Sequence, residues 1–314
     1  DSVKAAPIVH KMNIGRRPVR RPMFVFVAAQ FGYNSDAMTA LPGESRYVTV
    51  GGVNTHYLVS GHGSPVVLIH GLGESVVTWR DNIGPLSQRH QVFALDLPGH
   101  GDSEKPDLSY DPDSMVYYLR GFLESLGIER PALIGHSMGG GLALMTALAH
   151  PDIVSRLLLV GSASLGREVD WGLRLASVKV LGELMTSRFV DNTGIMLRKA
   201  FSDQRFVTQE LLTELKRTNR LPGARRAALK VIRNTVSILG VKSEFILYKR
   251  LAELEMPVLI AWGAEDRILP AKHAHRAGRA DPRTDVHVFG SCGHLPHMER
   301  SEEFNALTLD FLSR

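Results

Sequence analysis

The chain has 314 residues, 44% hydrophobic and 22% charged, the composition of a globular protein long enough to bury a large core. Its net charge of +5 comes without a dense basic run interleaved with aromatics, so nucleic acid is not an expected partner. The single cysteine, Cys292, excludes an intrachain disulfide; no metal-binding cysteine–histidine spacing is present, and no apolar run approaches the roughly 20 residues that span a bilayer.

Residues 1–43 differ in character from the rest of the chain. Gly15 to Pro22 is basic and broken by proline, and Met23 to Ala29 is a short apolar run. Basic-then-apolar is the order of an export signal, but the apolar part has the minimum length and no clean cleavage site succeeds it. The expectation is an N-terminal arm that lies on the body or supports a homo-oligomer, in a cytoplasmic protein without stable membrane insertion.

From Ser45 the pattern is regular. Arg46–Val50, a Gly51-Gly52 turn and Val53–Val59 predict a β-hairpin. Pro65–Ile69 is a continuous apolar run, as a strand buried on both faces requires. A helix over Trp79–Arg89, a strand over Gln91–Leu95 and a helix over Asp111–Leu126, capped by Asp111 or Asp113, come next. Pro131–Ile134 reads as a strand, Leu142–Ala149 as a helix and Arg156–Val160 as a strand. This alternation predicts an α/β fold with a mostly parallel sheet of about eight strands.

The alternation then stops. Residues 162–254 carry helical periodicity, and so long a structureless loop is implausible inside a domain. Helices are expected over Trp171–Met185, Gly194–Phe201, Thr208–Thr218, Gly223–Leu239 and Ser243–Leu251. The insertion is net basic, which predicts solvated outer faces. Pro257–Trp262 resumes the strand pattern, and after it come a helix over Ala271–Ala280, a strand over Thr284–Phe289 and a closing helix over Glu302–Leu312. The expected organisation is a core of residues 44–161 and 255–314 interrupted by a helical insertion.

The sequence Gly135-His136-Ser137-Met138-Gly139 is a G-x-S-x-G motif between a strand and a helix. A serine there sits on a strained turn that pushes its hydroxyl into open space and aims a helix N-terminus at whatever it attacks. A serine hydroxyl needs a base, for which histidine is suited, and the imidazole needs a carboxylate to fix its tautomer. Parallel sheets gather functional groups at the C-terminal ends of their strands. Those ends carry His70-Gly71-Leu72-Gly73, Ser137, Gly263-Ala264-Glu265-Asp266 and Cys292-Gly293-His294.

These motifs, with Asp96-Leu97-Pro98-Gly99-His100-Gly101-Asp102-Ser103 and the order Ser…Asp…His, resemble the α/β-hydrolase superfamily over Ser45 to Arg314. The resemblance implies Ser137 as nucleophile, His294 as base and Asp266 as orienting acid. It implies an oxyanion hole from the backbone N–H groups of Leu72 and Met138, and a helical cap formed by residues 162–254. His70, Gly71, His136 and Trp79 are expected near the substrate pocket, with Trp171 as a further candidate. His297 is the rival base, and Glu265, Glu168 and Asp170 are the rival acids. His136 should point away from the serine side chain, Asp96 and Asp102 should shape their loop, and Cys292 should be an inert buried thiol.

The expected activity is hydrolysis of a small-molecule carboxylic ester through an acyl-enzyme, with no metal or organic cofactor implied. Ser137 argues against relatives of this fold that attack with aspartate. Carbon–carbon hydrolases of ring-cleavage products share the architecture but usually carry Asn before the serine and Trp after the histidine; here those positions are His136 and Leu295. Cofactor-free perhydrolases share the triad, and a ligand receptor on the same fold is the non-enzymatic alternative.

Overall fold

The computed structural model describes residues 41–187 and 190–314. The expectations for the N-terminal arm therefore fall almost wholly outside the described residues. Among the described residues there are ten strands and eleven α-helices. In chain order the core begins with β1 (Glu44–Val50), β2 (Val53–Ser60), β3 (Pro65–Ile69), α1 (Arg80–Ser87), β4 (Gln91–Leu95) and α2 (Pro112–Leu126). Then come β5 (Ala132–His136), α3 (Met138–Ala149) and β6 (Arg156–Val160). The intervening segment holds α4 (Trp171–Ala176), α5 (Leu181–Met185), α6 (Asn192–Ala200), α7 (Gln209–Asn219), α8 (Ala224–Thr235), β7 (Val236–Ser237) and β8 (Gly240–Val241). The core closes with β9 (Val258–Gly263), α9 (Lys272–Ala280), β10 (Asp285–Phe289), α10 (Pro296–Glu299) and α11 (Ser301–Ser313).

Eight strands form one sheet in the order β1-β2-β4-β3-β5-β6-β9-β10. The first three are joined antiparallel, and β4 through β10 are parallel. Alternation along β3 explains why both faces are covered. Val67 and Ile69 pack with Leu119, Phe122, Ala143 and Ala277 of α2, α3 and α9. Val66 and Leu68 pack with Ile83, Phe304 and Phe311 of α1 and α11 on the opposite face. Local signals set the helix ends: Asp111, not Asp113, caps α2 by accepting from Ser114 N at 2.9 Å, and Gly127 ends it in the left-handed region at φ +63°.

The inserted segment departs from expectation in three places. The helix expected over Trp171–Met185 is two short ones, because the chain turns at Val180 with φ +68°. The helix expected over Gly223–Leu239 stops at Thr235, and β-branched Val236 starts a hairpin that turns at Ile238-Leu239 and resumes at Gly240, with φ +111°. Ser243–Leu251 is two 3₁₀ segments, Ser243–Phe245 and Tyr248–Glu253. Part of the basic charge joins the segment to the core instead of facing solvent alone. Arg217 pairs with Asp102 at 2.8 Å, and Lys230 with Asp107 at 2.7 Å. No helix among the described residues is long and apolar enough to cross a membrane.

Asp96 shapes the loop after β4, as its position suggests. Its buried carboxylate accepts from Val76 N at 2.8 Å, Asp102 N at 2.9 Å and His56 Nδ1 at 2.7 Å. His56, Asp96 and Asp102 offer ligand atoms within 4.8 Å of one another. The Arg217 guanidinium on Asp102 and the N–H groups on Asp96 already occupy those oxygens. Burial opposes ionisation of Asp96, but the hydrogen bond and charge of His56 outweigh it and hold the carboxyl below its usual range. Its stabilisation is therefore present above the unfolded carboxyl's pKa of about 3.9 and is lost as pH falls through the lower folded value. Asp96→Ala strands all three donors and should cost about 3 kcal/mol in urea unfolding at pH 7; a change below about 0.5 kcal/mol would contradict this account of the loop.

Candidate active site

The parallel strands β3, β5, β6, β9 and β10 end on one edge of the sheet, and each end carries a piece of the site. Ser137 joins β5 to α3 at φ +51° and ψ −115°, a strained conformation for a residue with a Cβ. Two glycines permit the turn. A Cβ on Gly135 would lie 2.3 Å from the Gly139 carbonyl oxygen, and one on Gly139 would lie 2.4 Å from that of Ile69. The turn is pinned by Ser137 N donating to Val160 O and Ala163 N donating to Ser137 O, each at 2.9 Å.

The same corner receives His294. Gly161, the residue after Val160, has φ +48°, and a Cβ there would lie 3.1 Å from His294 Nδ1. Thus Ser137 and His294 are both set against the end of β6. His294 Nδ1 donates to Asp266 Oδ2 at 2.6 Å, which fixes the tautomer and leaves Nε2 to take a proton. Asp266 is itself held, because its Oδ1 accepts from Ile268 N at 2.8 Å and Leu269 N at 2.9 Å. Burial lowers the His294 pKa, but the Asp266 charge and hydrogen bond outweigh it, so the net shift is upward. The Ser137 hydroxyl makes no hydrogen bond among the described residues; catalytic contacts without substrate are commonly loose.

The rivals are engaged elsewhere. His136 points away from the Ser137 side chain: Nδ1 lies 3.0 Å from Glu74 Oε2 and Nε2 lies 2.9 Å from the His294 carbonyl oxygen. His297 is fully buried with its ring centroid 4.3 Å from that of Trp79, and burial drives its pKa well below the usual value. Glu265 is exposed and accepts from Ser202 Oγ, Glu168 pairs with His273 and Lys272, and Asp170 caps α4 and pairs with Lys199. Burial pushes the Cys292 thiol far up, which leaves it inert near neutral pH.

Leu72 and Met138 line a cavity of about 130 Å³ together with Ser137. Met138 is the first residue of α3, where an N–H has no intrahelical acceptor. The Leu72 loop is braced from both sides. Gly71 N donates to Glu74 Oε2 at 2.9 Å, while His70 Nδ1 donates to Gly71 O at 2.7 Å and His70 Nε2 accepts from Leu97 N at 3.1 Å.

Four expected pocket residues do not line the cavity. His70 and Gly71 shape the loop behind it, His136 lies under the elbow, and Trp79 is core, packed on His297 and Phe304. Trp171 is largely exposed and is not on the cavity wall either. The wall comes instead from the inserted segment, including Leu173, Ile232, Val236 and Val241, and from Met145 and His100 of the core. His100 is the one imidazole on it. Its Nδ1 donates to Pro98 O at 3.0 Å, and burial drives its pKa down to about 3, so the ring is neutral.

Two carboxylates, one part-buried and one buried, have no signal in sequence spacing. Glu74 reaches His136 across 62 positions, and Glu299 accepts from Gly293 N at 2.7 Å, Ser202 N at 2.9 Å and Asp203 N at 3.0 Å. Glu299 thereby fixes the approach to His294 to the end of α6.

Comparison with known proteins agrees with this fold. The family model for the alpha/beta hydrolase fold matches residues 64–301. The chain is 30% identical over 276 residues to the 2-hydroxy-6-oxo-6-(2'-aminophenyl)hexa-2,4-dienoic acid hydrolase of Metapseudomonas resinovorans, covering 86% of this chain and 91% of that one. Among solved structures, a meta-cleavage product hydrolase from Pseudomonas fluorescens IP01 superposes with a TM-score of 0.73 at 30% identity, covering 85% and 97% of the two chains. A bacterial membrane phospholipase A gives a TM-score of 0.71 at 28% identity, covering 86% of each chain. With its eight-stranded sheet, its serine elbow and this match over most of its length, the chain belongs to the alpha/beta hydrolase fold family.

Proposed function

We propose that the protein is a serine hydrolase that cleaves uncharged, apolar carboxylic esters. Ser137 attacks the acyl carbon, and His294 takes its proton and returns it to the leaving alcohol. Asp266 holds the imidazole and stabilises its charged form. The N–H groups of Leu72 and Met138 receive the oxyanion. Water activated by His294 then releases the acid from the acyl-enzyme. Residues 44–161 and 255–314 form the catalytic core, and residues 162–254 act as its cap. No step requires a metal or organic cofactor.

The observation that carries the substrate class is the wall of the cavity. No charged residue lies on it among the described residues, and His100 is neutral. A dienoate of the kind named for the Metapseudomonas enzyme brings a carboxylate, which is costly to bury without a cationic partner. The second reading, hydrolysis of a carbon–carbon bond in a ring-cleavage product, draws on the relatives' names.

Purified protein should release p-nitrophenol from butyrate or hexanoate esters. It should discriminate at least about 100-fold in kcat/KM against the same ester with a carboxylate at the acyl terminus, the ratio that roughly 3 kcal/mol of unpaired charge implies. Faster turnover of a phenyl-substituted hydroxy-oxo-dienoate than of any ester would replace the ester reading with the carbon–carbon one. No turnover of either would favour a receptor.

A further inference from the structure

We infer that His136 and Glu74 form a positioning pair that locks the oxyanion loop and the His294 loop into one geometry. The inference rests on the reading of Ser137, His294 and Asp266 as the reacting set.

His136 is the last residue of β5, directly before Ser137, and is completely buried. Both of its ring nitrogens face acceptors. Nε2 lies 2.9 Å from the carbonyl oxygen of His294, a group that cannot donate. Nδ1 lies 3.0 Å from Glu74 Oε2, and that same oxygen also accepts from Gly71 N at 2.9 Å. The ring thus joins the Glu74 side chain to the His294 backbone, each nitrogen engaging a group from a different loop. Burial raises the Glu74 pKa, but the charge and hydrogen bond of His136 outweigh it and bring the carboxyl down to about 2.

The surroundings leave Glu74 as the carboxylate beside the His136 ring. The His136 ring centroid lies 4.7 Å from that of His294 and 4.7 Å from that of His297. Burial holds His297 neutral, and it also lowers the pKa of His70, whose two nitrogens are both in use.

The connectivity gives the pair its role. A single carboxylate oxygen fixes the Gly71 N–H, next to the Leu72 N–H assigned to the oxyanion, and also holds the His136 ring. The far side of that ring fixes the backbone of the base. The separation between oxyanion donor and proton acceptor is therefore set by one imidazole ring. Neither residue lines the cavity, so the pair acts through its neighbours and is not itself catalytic.

Two substitutions test the pair. Glu74→Gln keeps the shape and the acceptor for Gly71 but removes the charge. It and His136→Gln should lower kcat about tenfold to hundredfold, the scale of a small misplacement of reacting groups, with KM within about twofold. A fluorophosphonate should still label Ser137 in both. Wild-type kcat in both variants, or a loss confined to KM, would overturn the positioning role. Failure of the probe to label wild-type protein at Ser137 would overturn the serine reading instead, which keeps the two failures apart.

Discussion

Ser137→Ala should lower ester hydrolysis by about 10⁵ to 10⁶ in kcat, down to what the oxyanion donors and binding supply alone. The size comes from the two-step reaction: with no hydroxyl, neither His294 nor the Leu72 loop has an acyl-enzyme to form. The fold should survive, because alanine has the same Cβ at the same φ of +51°. Ser137→Gly serves as a complementary control. Glycine adopts that backbone without the strain, so it should be equally inactive yet melt at a higher temperature, with relief on the order of 1 kcal/mol. Near-wild-type turnover in the alanine variant would remove Ser137 from the chemistry.

Asp266→Asn should lower kcat by about 10⁴, the scale seen when a triad carboxylate becomes an amide. The amide can present its NH₂ group to Nδ1, which leaves the proton on Nε2, where it cannot accept from Ser137. The pH profile supplies an independent sign. Protonated His294 cannot act as base, so kcat/KM of the wild type rises with pH through the His294 pKa. Burial lowers that pKa and Asp266 raises it, with the net shift upward, so the inflection should lie above the ordinary histidine value of about 6.5. Removing the charge leaves burial to dominate, and the inflection should move to lower pH. An inflection unmoved by the substitution would mean that another group titrates in the profile.

The parts of the fold legible in the sequence are those fixed by local pattern. β3, β5, β6 and β9 are unbroken apolar runs because both faces of a central strand are buried, and the structure places them side by side. Ser137 on a tight strand-to-helix turn was legible because Gly135 and Gly139 have no other reason to flank it so closely. The inserted segment was harder, because helical periodicity carries no information about where a helix breaks. Val180 turns the chain with a positive φ that β-branched residues rarely adopt, and Val236 leaves a helix for a two-residue strand. The supporting shell of the site was illegible for a different reason. Glu74 and His136, or Glu299 and Ser202, meet only through the tertiary fold. Trp79 shows the limit from the other side: a large aromatic after a strand-end loop reads the same whether it faces a cavity or the core, and here it packs on His297.

The measurement that bears most directly on the central claim is covalent capture. Native protein treated with a fluorophosphonate, digested and mapped by mass spectrometry should carry one adduct, on Ser137, with hydrolysis lost in proportion to labelling and labelling slowed in His294→Ala. Stoichiometric labelling at another residue, or full hydrolytic activity in protein labelled at Ser137, would contradict it.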